Sequence, residues 1–267
     1  MNRLNERNTL STNVLKIVAI IAMACDHIPY LYETARADYY DYPWFLMHSV
    51  GRITAPIFFY LLALGYRRTR DANRYTSRLL VFALITYVPY IWYFHEKPDT
   101  QNFLELNVIF TMLFGLLLLR TVNEVRNTAL KAIFIVLCLL GGYWCDYGLY
   151  GLAMILICDI ARDSRRGTVL GIGAVMMTYV YVRVSGVFGS DLGPFEYFPT
   201  IGANPQIQGY LLIQLCQLLP LIFIARHRRW AAGAVEQRPG FWAKWGFYVF
   251  YPAHITLLLI IKLNVAF

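Results

Sequence analysis

The chain has 267 residues, 58% of them apolar and only 15% charged, and its mean hydropathy is +0.47. A soluble domain averages about 45–50% apolar and about 25% charged residues. The composition therefore excludes an ordinary globular domain and points to an all-α, polytopic membrane protein, one transmembrane helix bundle over residues 1–267. The net charge of +8 does not indicate nucleic acid, because the basic residues sit in short loops between apolar runs and not along one stripe.

The N-terminal stretch mimics a signal peptide: Arg3 and Arg7 precede an apolar run ending Ala22-Met23-Ala24-Cys25. Lys16 inside the run, and its continuation through Asp26-His27 to Tyr32, favour a retained first span instead. Apolar runs of about 17–22 residues are membrane-helix candidates. About nine are expected, at 12–32, 44–66, 77–94, 105–121, 128–144, 147–161, 167–187, 207–225 and 245–264. Alternate loops are rich in arginine and lysine: Arg67 to Arg78, Arg120 to Lys131, Arg162 to Arg166, and Arg226 to Lys244. The remaining loops carry Glu33, Asp38, Asp41, Glu96, Asp99, Glu105, Asp146, Asp191 and Glu196. The positive-inside rule then gives a cytoplasmic N-terminus, about nine crossings and an outer C-terminus. The connection from Gly186 to Gln206 is rich in glycine, proline and aromatics and is expected to be an ordered outer loop or half-helix, with a lid as one role. The cysteines, Cys25, Cys138, Cys145, Cys158 and Cys216, show no paired spacing, so no disulfide framework or metal site is expected.

Ionisable residues inside apolar spans are costly and call for a reason. In LKIVAIIAMACDHIP (15–29), Lys16 and His27 are separated by three helical turns plus about 20°. They share one face, roughly 16 Å apart along the axis. His27 is a candidate general base or acid, since imidazole titrates near neutrality. Asp26 points about 100° away from His27 and needs a partner on another span; Arg52, at a similar depth, is a candidate. Asn107 and Thr111 enter the fourth span from outside. Tyr251 and His254 share a face of the last span beside the kink expected at Pro252. Asp146, in DYGLYG, reads either as the N-cap of the next helix or as a carboxylate directed at a histidine. Arg67 and Arg70, with R-x-x-R spacing, serve either topology or phosphate binding.

These pieces, LKIVAIIAMACDHIPY (15–30), GRITAPIFFYLLALGYRRTR (51–70), NVIFT (107–111), DYGLYG (146–151) and FYVFYPAHI (247–255), together resemble the TraX family of bacterial membrane proteins. The resemblance implies an acetylase of a pilin N-terminus, or a protein of a fimbrial or other surface system, in the bacterial inner membrane. A basic residue, ten intervening residues and a histidine on the first span is also similar to the motif of bacterial membrane O-acyltransferases; heparan-α-glucosaminide N-acetyltransferase is a more distant likeness. Both resemblances imply that acetyl-CoA enters from the cytosol and that the acceptor, a protein or glycan amine or hydroxyl, waits on the outer face among membrane lipid.

On that reading Lys16, Arg67 and Arg70 hold the CoA phosphates. A pantetheine arm spans a length of the order of the roughly 16 Å to His27. His27 deprotonates the acceptor, with Asp26, Asp146 or His254 assisting. Arg52 or Asn107 supports the oxyanion, Tyr251 lines the substrate site, and no metal takes part. Two other readings stay open: a proton-coupled transporter in which Asp26, His27, Asp146 and His254 relay protons, and a non-catalytic pilus or envelope assembly partner.

Overall fold

The computed structural model describes residues 9–31, 42–95, 102–188, 205–230 and 241–264. The described elements are helices: α1 (Thr12–His27), α2 (Tyr42–Gly51), α3 (Thr54–Arg68), α4 (Ala72–His95), α5 (Val108–Glu124), α6 (Thr128–Tyr143), α7 (Gly148–Ile160), α8 (Arg165–Phe188), α9 (Pro205–Leu215), α10 (Pro220–Ala225) and α11 (Phe241–Asn264). Short 3-10 turns follow α1, α9 and α10. Extended pairing among the described residues is limited to two single bridges, Leu10 with His227 and Leu106 with Cys145. The all-helical fold expected from composition is what forms.

Side chains set the helix boundaries. Ser11 caps α1 by accepting from Val14 N at 3.3 Å, and Asn127 caps α6 by accepting from Leu130 N at 3.0 Å. Each satisfies an amide that the first helical turn leaves without a carbonyl. The second apolar run, expected as one span, is broken between α2 and α3 at Arg52-Ile53. Pro56 explains the break: it has no N–H to donate to the Arg52 carbonyl, and its ring crowds that carbonyl.

Six segments are long and apolar enough to cross a membrane: Thr12–Leu31, Pro43–Arg68, Ala72–His95, Arg165–Gly186, Ile207–Ala225 and Trp245–Asn264. The other three expected spans are shorter helices, α5 of 17 residues, α6 of 16 and α7 of 13. At 1.5 Å per residue, α7 spans about 20 Å against about 30 Å of hydrocarbon. Burial explains the difference for α5, which with α3 forms the centre of the bundle, with Ile57, Phe59, Tyr60, Leu62, Ile109, Leu116 and Leu119 almost wholly enclosed. The long helices surround them and turn Ile17, Ile21, Leu84, Ile85, Val88, Leu257 and Ile260 outward. Apolar residues on both faces of a helix fit a lipid environment.

With α2–α3 and α9–α10 each taken as one broken rod, the described elements form nine rods. One end gathers Thr12, Tyr60, Arg67, Arg120, Asp159 and Arg226–Trp230. The other gathers His27, His48, Arg52, Glu105, Asp146 and Arg183. We call these the basic end and the cavity end. Arg3, Arg7, Glu33, Asp38, Asp41, Glu96, Asp99, Asp191, Glu196 and Arg238 lie outside the described residues, as do residues 189–204 of the expected outer loop.

Candidate functional site

The last turn of α1 carries the centre of the site. His254 Nδ1 lies 2.8 Å from the Phe250 carbonyl oxygen, which only accepts, so His254 carries its proton on Nδ1. Its Nε2 then accepts, and His27 Nδ1 donates to it at 2.7 Å. The hydrogen assignment follows from the partners. In the neutral pair, His27 Nε2 is left as a lone pair that makes no hydrogen bond among the described residues. The two rings are nearly parallel, 5.0 Å between centroids, and Phe94 closes on His27 edge-on at 5.3 Å. Tyr93 donates its hydroxyl to the His27 carbonyl at 2.7 Å, satisfying an orphan acceptor at the end of α1. Lys262 in turn donates to the Tyr93 carbonyl at 3.0 Å.

His27 opens on a cavity of about 610 Å³, whose walls include Asp26, Tyr30, Gly51, Arg52, Tyr90, Phe94, Glu105, Asp146, Tyr147, Tyr179, Arg183 and Tyr251. Its volume lies within the range of small-molecule sites. Asp26 pairs with His48 of α2, Nδ1 to Oδ1 at 2.8 Å, and not through a direct ion pair with Arg52. Arg52 stands close enough to act on the same carboxylate through space. Gly51 makes the arrangement possible, because a Cβ there would overlap the Asp26 side chain. Glu105 pairs with His95 at 2.9 Å. The loop holding Glu105 is pinned to the α6–α7 turn by Leu106 N donating to Trp144 O at 2.9 Å and Asp146 N donating to Leu106 O at 2.8 Å.

That turn requires Gly148, whose φ of +50° lies in the left-handed region. The N-cap position of α7 falls on Tyr147, so Asp146 is not the cap that its place before the helix suggests. Its carboxylate instead faces the cavity, accessible to water there while enclosed by protein beyond, and burial pushes it up to about 6. The arginines Arg183 and Arg52 pull the other way but do not cancel the desolvation.

Asn107, expected as an oxyanion donor, is fully buried and engaged in the fold. Its oxygen accepts from Ile109 N at 3.0 Å, capping α5, and its amide donates to Ala83 O at 3.1 Å. Tyr251 lines the cavity, with its ring 6.1 Å from that of His27. Lys16 is half-buried on α1 and is not among the cavity walls; neither are Arg67 and Arg70, both at the basic end. The Arg67 guanidinium is clasped by the buried Asp159 carboxylate and donates to Asn123 Oδ1 at 2.8 Å, whereas Arg70 is exposed. Among the described residues no cluster of three or more histidine, cysteine or acidic side chains is placed to hold a metal ion.

The site residues, from His27 on α1 to His254 on α11, all fall inside the stretch 11–262 that matches the family model "TraX protein". The chain belongs to the TraX family. It is also 27% identical over 254 residues to the probable fimbrial assembly protein FimC, serogroup H1, of Dichelobacter nodosus, covering 93% of this chain and 94% of that protein. No solved structure matches the chain.

In this TraX-family chain the structure brings together His27, His254 and Tyr251, with Asp26, Arg52 and Asp146 around the same space. It keeps Lys16, Arg67 and Arg70 apart from them. Reasoning from sequence missed His48, Tyr93 and Arg183. His48 was legible as one of five histidines in the chain, in an apolar run. Tyr93 carried no signal, being one tyrosine among 20. Arg183 stood out only as a lone cation near the end of an otherwise apolar span.

Proposed function

We propose that the chain is a membrane acetyltransferase that moves an acetyl group from cytosolic acetyl-CoA to an amine or hydroxyl reached from the cavity end. The observation that carries this reading is the His27–His254 hydrogen bond, with the His27 lone pair left at a cavity. The Phe250 carbonyl fixes the His254 tautomer, His254 fixes that of His27, and His27 Nε2 is thereby preset as a base. As the acceptor nitrogen or oxygen attacks the thioester carbon, Nε2 takes its proton. The carbon–sulfur bond then breaks, and CoA leaves as a thiol that takes up a proton. Tyr251 and Arg52 stand at the cavity wall, where a developing oxyanion would be stabilised.

The same reading gives nine crossings with the basic end in the cytoplasm of a bacterial inner membrane, as the positive-inside rule favours. CoA phosphates meet the basic end, where Arg70 is exposed and Arg67 is already engaged by Asp159. The acceptor is a surface or pilus component; the relative named as a probable fimbrial assembly protein supports that class. A proton-relay transporter is less favoured. The two histidines end their chain on a backbone carbonyl, which cannot pass a proton onward.

The test is thiol release from acetyl-CoA by the purified protein in nanodiscs. Wild type should hydrolyse the thioester slowly, and His27→Ala should lose at least about 100-fold in rate, the lower range for general base catalysis. His254→Gln, which keeps a hydrogen-bonding side chain, should retain partial activity. Full turnover in folded His27→Ala would overturn the proposal.

A further inference from the structure

The cavity end holds five charged residues along its walls, and they divide into two kinds. Asp26 and Glu105 each have an imidazole partner, His48 and His95. Arg52, Arg183 and Asp146 have no side-chain hydrogen bond or ion pair with any described residue. Arg52 Nε is enclosed without a partner, and Arg183 makes only a ring contact, 5.9 Å over Tyr179.

We infer that Arg52 and Arg183 form a binding site for an anionic group, a phosphate or carboxylate carried by the ligand of this cavity. Three observations support it. A guanidinium stays charged in a protein and loses solvation when enclosed, so the enclosed Arg52 Nε without a partner is a standing cost to the fold, whereas Arg183 reaches the same cavity from an exposed position. The positive-inside bias accounts for the arginines of the opposite end but not for these two, which lie at the end where acidic residues gather. Their planar forks match the geometry of phosphate and carboxylate, and two of them on α8 and on the α2–α3 break approach the same space from different rods. Asp146 stands in that space without closing on either arginine. Its carboxylate is left to accept from a donor group of the same ligand. A ligand with an anionic group and a nearby N–H or O–H donor complements all three. The inference does not require acetyl transfer, because it concerns occupancy of the cavity and is read without any acyl donor.

Full-length protein in phosphatidylcholine nanodiscs is followed by thermal unfolding as inorganic phosphate replaces chloride at constant ionic strength. A second series uses nanodiscs containing phosphatidylglycerol and no added phosphate. The unfolding midpoint of wild type should rise in at least one series. A rise in the first assigns the site to a soluble anion, and a rise in the second alone assigns it to a lipid headgroup. Arg183→Gln should weaken that response about tenfold, the loss expected for a charge-assisted contact, and Arg52→Gln should do the same. Arg126→Gln, on an exposed loop at the basic end, should follow wild type. Arg183 is exposed to the cavity, so its variant should fold even if the Arg52 variant does not. A wild-type midpoint indifferent to both anions, or an Arg183→Gln response equal to wild type, would overturn the inference.

Discussion

The two ends of the bundle treat their polar residues in opposite ways. At the basic end they are paired with one another across rods. Arg67 is clasped by Asp159 and Asn123, linking α3, α7 and α5. Arg120 donates to Glu124 at 3.2 Å, to Thr76 at 3.1 Å and to Asn73 at 2.8 Å. His227 is held between Tyr60 at 2.8 Å and Thr12 at 3.1 Å, both ring nitrogens engaged. At the cavity end, Asp146, Arg52, Arg183 and one nitrogen of His27 face open space. Closed pairing favours stability, because each enclosed group is satisfied by a neighbour. Leaving groups unpaired lowers stability and keeps them available to a ligand. The first end holds the rods together, and the second is where chemistry is possible.

The largest expected effect on stability therefore lies far from the cavity. Arg67→Ala leaves Asp159, a carboxylate with only 4% of its side chain exposed, without its ion-pair partner. Removing one member of a buried pair costs about 3 kcal/mol, and Asn123 offsets part of that. Unfolding in nanodiscs or mild detergent should show the loss, while slow thiol release at permissive temperature persists. A variant as stable as wild type but unable to turn over would break the division between the ends. A smaller effect is expected at Gly51→Ala, where the added methyl overlaps Asp26. Overpacking of this kind costs about 2 kcal/mol. Here α2 must shift, so the Asp26–His48 contact should loosen as well. Stability and thiol release should fall together in this variant, unlike Arg67→Ala.

Much of the fold was legible because the bilayer constrains it so strongly. Each of the nine expected apolar runs corresponds to a helical rod, and Arg67, Arg120, Arg162 and Arg226–Trp230 of the basic loops gather at one end. What the runs did not reveal was length within the bundle. A helix enclosed by other helices need not match the hydrocarbon thickness, so α7 manages with 13 residues. The site was partly legible. The Tyr251/His254 face and His27 were readable from helical phase, but their meeting was not, since it depends on how α11 packs against α1. The Asp26 partner was sought among arginines of similar depth. The break at Arg52-Ile53, caused by a proline further along, instead brings His48 to it. Of the two readings of Asp146, the cap rested on its type and position before a helix, yet the helix starts at the left-handed Gly148 and its N-cap position falls on Tyr147.

The smallest effect on stability, and the one that most sharpens the contrast, is expected from Asp146→Asn. Burial raises this carboxyl from its ordinary 3.8 to about 6. Between those two values the folded chain holds a proton there that the unfolded chain has released. The unfolded state therefore binds fewer protons, and stability falls as pH rises through that window. Above about 6 the folded protein carries the cost of an ionised, partly desolvated carboxylate, reduced by its access to water in the cavity. Asparagine removes that disadvantage, so the variant should be at least as stable as wild type near neutrality and should lack the decline between pH 4 and 6. Thiol release in wild type should rise with pH through about 6 if the ionised carboxylate helps to hold the acceptor, and the variant should lose that inflection. Measuring unfolding midpoints and turnover on one pH series reads both quantities from the same samples. A variant less stable than wild type at neutral pH would mean that Asp146 makes a contact contributing to the fold, and the cavity end would then resemble the basic end more closely than its open charges indicate.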